Sequence, residues 1–148
     1  MSQSIRRYLI CSGIIALLAG VLHLAIIFGG PDWYAFFHAP ARIVRLATVG
    51  ALYPKIFCLA AAVLLMLCAG YAFSGAGLIR RLPFLHPALV LIGSVFILRG
   101  IAFFPLLLWR PDLLARVCDC RGLDPFLVVS SVICLATGIG YVLGARKT

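Results

Sequence analysis

The run from Leu89 to Trp109 constrains this chain more than any other stretch. Its 21 residues carry one charge, Arg99, close to the middle. A helix of that length rises roughly 30 Å, the thickness of a bilayer's hydrocarbon core. A cation at that depth costs on the order of 2.5 kcal/mol or more, so it persists when turned toward a partner or a water-filled cleft. Pro105, six residues on, removes a backbone donor and is expected to bend or loosen the helix beyond it.

The rest of the chain is built for the same medium. Of 148 residues, 64% are hydrophobic and 11% charged, against roughly half and a quarter in soluble domains. The mean hydropathy is +1.15. The formal charge of +9 would suggest nucleic acid in a soluble protein. Here Lys and Arg flank apolar spans instead, which excludes nucleic acid as the partner and makes them topology determinants beside anionic headgroups.

Three more spans follow from the same reasoning, giving four at about 8–28, 55–73, 88–109 and 126–145. The first follows Arg6-Arg7 and is too long for a signal-peptide core. No A-x-A site follows it, and Val21 stands where a lipoprotein box needs Cys, so it reads as a retained helix. Ser12, Ala16 and Gly20 recur every four residues along it, a small-residue stripe that lets another helix approach closely, and His23 extends that face. The fourth span carries Ser130, Cys134, Thr137 and Tyr141 on one helical face. The fold class is therefore an all-α membrane protein, an antiparallel four-transmembrane-helix bundle forming one domain over residues 1–148.

Between the first two spans, Gly29-Gly30-Pro31-Asp32 breaks the helix, and Asp32 is placed to cap a short turn through Trp33, Tyr34, Phe36, Phe37 and His38. Pro40 then opens a segment from Ala41 to Tyr53 with Arg42 and Arg45 on one face, expected to lie in the membrane interface. Arg110 to Pro125 forms a polar loop, with a helical turn begun by Asp112. Asp124-Pro125 has the pattern of an N-cap followed by Pro at the first helical position. With both termini on one side, six Lys or Arg residues fall on each face, counting those through Lys147, so bulk charge gives no bias. The pairs Arg6-Arg7, Arg80-Arg81 and Arg146-Lys147 sit directly at span ends, where the positive-inside rule acts most strongly. They favour cytoplasmic termini.

Depth brings a polar cluster together. Arg99 lies roughly 14 Å below the outer edge of its span and His23 roughly 8 Å below the edge of its own. Arginine reaches several ångströms further by snorkelling. If the first and third spans are neighbours, the two share an outward-opening pocket, which Ser130 and Ser131 can join and which Trp33 and Tyr34 can lid. A cluster of donors without a buried carboxylate favours an anionic guest, such as a lipid or another acidic amphiphile. Sealed against helix carbonyls, Arg99 would instead lock the bundle, and His23 would be a cross-link between helices.

The cysteines open a second line. Cys118-Asp-Cys120 lies in the polar loop on the outer side, where a strained, easily reduced disulfide or a soft-metal pair is conceivable. Cys58 is the remaining thiol near that side; Cys11, Cys68 and Cys134 read as small buried hydrophobes. Thiol–quinone membrane oxidoreductases are four-helix bundles too, but need a C-x-x-C pair and a relay. Proton-coupled multidrug transporters of this size need a carboxylate within the spans, and there is none. Small glutathione-handling membrane enzymes use Glu with Arg on the second helix, which here carries neither. No resident metal or cofactor, and no catalytic residue, is indicated by any spacing, so the chain reads as a non-enzyme.

The loop Trp33-Tyr34-x-Phe36-Phe37, the turn Ser74-Gly-Ala-Gly-Leu-Ile-Arg-Arg-Leu-Pro83 and Leu98-Arg99-Gly100 together resemble a family of small, uncharacterised four-helix inner-membrane proteins of Gram-negative bacteria. The resemblance runs over most of the chain. It implies fold and location, and no activity or assigned site. Three roles stay open: binding of an anionic amphiphile or membrane partner around Arg99, thiol or soft-metal chemistry at Cys118 and Cys120, and a scaffold subunit. A homo-oligomer through the Ser12–Ala16–Gly20 stripe is a further expectation.

Overall fold

In the computed structural model, which describes residues 3–109 and 125–146, every regular element is a helix. The order is α1 (Gln3–Gly29), α2 (Pro31–Phe36), α3 (Ala41–Thr48), α4 (Leu52–Gly75), α5 (Leu85–Trp109) and α6 (Pro125–Ala145). Four of them, α1, α4, α5 and α6, are long and apolar enough to cross a membrane. The protein is a multi-pass membrane protein.

The packing is inside-out relative to a soluble bundle. The buried positions are mostly small: Ser12, Gly13, Ala16 and Gly20 on α1, Ala62, Ala69 and Ala72 on α4, and Gly138, Gly140 and Gly144 on α6. Large apolar side chains such as Leu18, Phe57, Leu64, Leu91 and Leu98 point outward. Lipid solvates those side chains as well as a core would, so close backbone approach between small residues decides the helix contacts. The α1 stripe is used this way inside one chain. Ser12 Oγ donates to the Thr137 carbonyl at 3.1 Å, and Gly20 faces the Ala62 carbonyl across α4.

α1 packs on α4 and α6, and α5 packs chiefly on α6. The backbones of α1 and α5 nowhere come close among the described residues, and the two helices stand diagonally across the bundle. The neighbour relation on which the shared pocket was conditioned therefore does not hold. The small residues of α1 and α6 draw those two helices together and leave α5 on the far side.

The end of the bundle that carries the chain termini is tightly tied. Leu9, Cys68, Ala69, Ala72, Leu85, Leu89 and Tyr141 form one buried cluster there. Tyr141 Oη donates to the Cys68 carbonyl at 2.9 Å, and its ring stacks on Phe96. Arg6 Nε donates to the Ala76 carbonyl at the end of α4 (3.1 Å), and His86 Nδ1 bonds the Ala145 carbonyl at the end of α6 (2.8 Å). The guanidinium and ring N–H donors of these two side chains satisfy carbonyls that a helix end leaves without partners. Ser74 organises the α4–α5 turn, accepting from Leu82 N at 2.9 Å and donating to the Arg80 carbonyl at 3.2 Å.

The opposite end is looser and capped by α2 and α3. Ile26, Tyr34 and Cys58 form a small second core, over which Phe37, Ala39, Ile43, Val44 and Ala47 lie half-buried. α3 turns those apolar residues inward and leaves Arg42 and Arg45 exposed, as an interfacial helix requires. It ends at Thr48 rather than continuing to Tyr53, because Gly50 adopts φ +74° and reverses the chain. α4 starts at Leu52, its first turn accommodating Pro54, whose missing N–H has no helical acceptor there. Asp32 does not cap α2: Gly30 holds that position, Pro31 is the first helical residue, and Asp32 lies in the first turn, where a carboxylate favours the helix dipole. α5 starts earlier than expected, at Leu85, and runs through Pro105 without ending.

Candidate functional site

The looser end holds a cleft of about 330 Å³, at the lower bound for small-molecule sites. All six helices or their connections line it. α1 gives Leu22, His23 and Ile26; the α2–α3 cap gives Tyr34, Phe37, Ala39, Pro40 and Ile43; α4 gives Phe57 and Cys58; α5 gives Arg99; α6 gives Phe126 and Ser130. The walls are mainly apolar, with a few polar groups converging.

Local helix packing explains why Arg99 points here. Its neighbour Gly100 is buried against α6, where a Cβ would come 2.8 Å from the Ser131 carbonyl oxygen. That contact turns position 100 into the α5–α6 seam. Arg99, one residue earlier and about 100° around the helix, is exposed along the cleft wall. It forms no hydrogen bond and no ion pair among the described residues. Ser130 precedes the residue that meets Gly100, so the same contact sets Arg99 and Ser130 on adjoining helices at one opening.

The other polar groups have defined roles. His23 Nδ1 lies 2.8 Å from the Ala19 carbonyl, which can only accept, so Nδ1 carries a proton and Nε2 is the ring nitrogen left for another partner. Ser130 Oγ donates to the Leu127 carbonyl at 3.0 Å, which commits its proton and leaves oxygen lone pairs. Tyr34 is 3% exposed, and its hydroxyl meets at most the weak Cys58 thiol among the described residues. Burial pushes its pKa up to about 12, and the neighbouring Cys58 thiol adds to the rise, so Tyr34 is neutral over the physiological range. The aromatic cap closes over α6, with His38 stacked on Phe126 at 5.4 Å and Phe37 against the same ring at 6.0 Å.

Of the residues expected to bind a ligand, Arg99, His23, Ser130 and Tyr34 line this one cleft. Ser131 and Trp33 stand outside it. Ser131 is fully buried toward the α5 seam, its hydroxyl without a partner among the described residues. Trp33 packs over Gly29 and borders a second pocket with Asp32, Phe36 and Phe37. Cys118, Cys120, the Asp112 turn and the Asp124 cap lie outside the described residues. Among the described residues no group of three His, Cys, Asp or Glu side chains is placed to hold a metal.

Sequence reasoning missed the contribution of Ile26, Cys58, Phe126 and the Ala39–Ile43 stretch to the walls. One signal was present: Ile43 and Ala47 repeat at helical spacing opposite the Arg pair, marking α3 as a helix with an inward face. No protein-family model, curated protein or solved structure matches the chain, so the functional reading rests on the geometry of the cleft.

Proposed function

We propose that this protein holds an anionic amphiphile, a membrane lipid or similar acidic molecule, in the cleft at its capped end, with Arg99 as the binding cation. The location we propose is the inner membrane of a Gram-negative bacterium, with both termini cytoplasmic and the cleft toward the outer leaflet. A non-enzymatic carrier, sensor or lipid-dependent partner protein fits the absence of any catalytic constellation in the sequence.

One observation carries the reading. Arg99 lines an apolar-walled cleft beside His23 and Ser130 and has no hydrogen-bond or ionic partner among the described residues. A purely structural arginine at membrane depth would be tied to helix carbonyls, because an unsatisfied guanidinium in lipid is costly. An acidic headgroup supplies the missing counter-charge in bidentate geometry.

The test is mass spectrometry of lipids that co-purify after mild extraction, comparing wild type, Arg99→Lys and Arg99→Ala. The expected result is a defined anionic lipid on the wild type, retained in part by Arg99→Lys and missing from a folded Arg99→Ala. The same bulk lipid on all three would overturn the reading.

A further inference from the structure

The hydrogen-bonding roles in the cleft go beyond a preference for negative charge. Arg99 is the one Lys or Arg among the described lining residues, and it donates only. The ring Nδ1–H and the Ser130 hydroxyl proton are both spent on helix carbonyls one turn earlier in their own helices, so in the Nδ1–H tautomer His23 Nε2 is an acceptor, as is Ser130 Oγ. A ligand that satisfies the whole set must present an anion to Arg99 and neutral donors to the other two. Among the described residues no carboxylate lines the cleft, so an ammonium donor would find no counter-charge from them and would face repulsion from Arg99.

Resting on the anionic-amphiphile reading above, we propose that the cleft selects a phosphodiester bearing free hydroxyls, the phosphoglycerol type of headgroup. It selects against an equally charged phosphodiester without hydroxyls and against an ethanolamine headgroup. The phosphate oxygens take the Arg99 guanidinium, and the glycerol hydroxyls donate to His23 Nε2 and Ser130 Oγ. The apolar walls from Leu22, Ile26, Phe57 and Phe126 cover the adjoining chain.

The test places the purified full-length protein in phosphatidylcholine nanodiscs doped with phosphatidylglycerol, phosphatidylethanol or phosphatidylethanolamine, and reads retained lipid by native mass spectrometry. Phosphatidylethanol carries the same charge as phosphatidylglycerol and lacks its hydroxyls. One or two hydrogen bonds to the acceptors predict about a tenfold preference for phosphatidylglycerol over phosphatidylethanol. The pair Ser130→Ala and His23→Phe, in one protein, should bring that ratio to near unity while the preference over phosphatidylcholine survives.

Equal retention of phosphatidylglycerol and phosphatidylethanol, both above phosphatidylcholine, overturns the hydroxyl selection and leaves the anion reading standing. No preference for either anionic lipid overturns both. Strongest retention of phosphatidylethanolamine overturns the charge argument. Glycerophosphoglycerol added in solution separates two sources of the same chemistry: displacement of the lipid assigns the site to the headgroup in soluble form, and failure to displace it assigns the site to the lipid. A tenfold ratio that the double variant leaves unchanged would place the hydroxyl recognition elsewhere and overturn the assignment to Ser130 and His23.

Discussion

Gly100 of α5 lies directly against the backbone of Ser131 in α6, so close that a Cβ would come 2.8 Å from its carbonyl oxygen. Backbone cannot move aside as a flexible side chain can, so Gly100→Ala must push the two helices apart. Overpacking of this kind costs about 1–3 kcal/mol, and it also moves Arg99 relative to Ser130. Thermal unfolding in detergent should show a lowered midpoint together with reduced lipid retention. Gly70 of α4 is the control, because nothing lies within 4 Å of a Cβ there. Gly70→Ala should be neutral or stabilising by up to about 1 kcal/mol through helix propensity. Equal effects at both positions would contradict the seam.

Tyr34 gives a test in the opposite direction. Its buried hydroxyl meets at most the weakly hydrogen-bonding Cys58 thiol among the described residues, so little of its desolvation is offset. Tyr34→Phe should leave the lipid-free protein as stable as wild type or raise its stability by about 1 kcal/mol. A loss of stability would show that the hydroxyl is bonded in the free protein. The same group makes a pH prediction. Its folded pKa, about 12, lies above the ordinary value of 10. Above pH 10 the unfolded chain releases the proton first, so Tyr34 adds no pH-dependent penalty below pH 10 and lowers stability progressively as pH rises toward 12. Alkaline melting curves should therefore drop less steeply for Tyr34→Phe than for wild type.

Much of the bundle was legible in the sequence because its determinants are linear. Apolar runs of sufficient length, Gly and Pro breaks, and Arg pairs at span ends fix the four crossings and the turn between α4 and α5. That Arg99, His23 and Ser130 lie toward one end of the bundle was legible from depth, but the shared cleft was expected only with α1 and α5 as neighbours, which they are not. Helix adjacency was not, because it depends on which small faces meet: Gly93, Gly100 and Gly138 marry α5 to α6, while Ser12 and Gly140 marry α1 to α6. Glycine spacing marks a face as able to approach closely but does not name its partner. Element ends also escaped, since Pro54 and Pro87 near the starts of α4 and α5 look like breakers in sequence and are tolerated in a first turn.

Ser74 extends the argument to the tied end. It bridges Leu82 N and the Arg80 carbonyl while 95% hidden from solvent, being 5% exposed. Ser74→Ala leaves the Leu82 amide without its acceptor and should cost about 1–3 kcal/mol. Ser74→Thr keeps the hydroxyl and should recover part of the loss. Because this turn is remote from the cleft, lipid selectivity in a folded Ser74→Ala protein should match wild type. A changed selectivity would mean that the two ends of the bundle are coupled.

Thr48 tests the orientation on which the outer-leaflet assignment depends. It is exposed at the end of α3, beside the cap and away from the terminal end of the bundle. Its hydroxyl bonds only the Val44 carbonyl one turn back, an exposed contact of little weight. The native thiols at Cys58 and Cys68 are buried, so a new exposed thiol should dominate aqueous labelling once Cys11, Cys118, Cys120 and Cys134 are replaced by Ser or Ala. In intact cells with a permeabilised outer membrane, Thr48→Cys should react with a membrane-impermeant maleimide. Arg81→Cys, in the turn at the other end, should react only after the inner membrane is opened. The reverse pattern would put the cleft on the cytoplasmic side. Arg99 would then meet inner-leaflet lipids, and the paired arginines at the span ends would have failed as topology signals, overruled by Arg42, Arg45 and Lys55 on the opposite face.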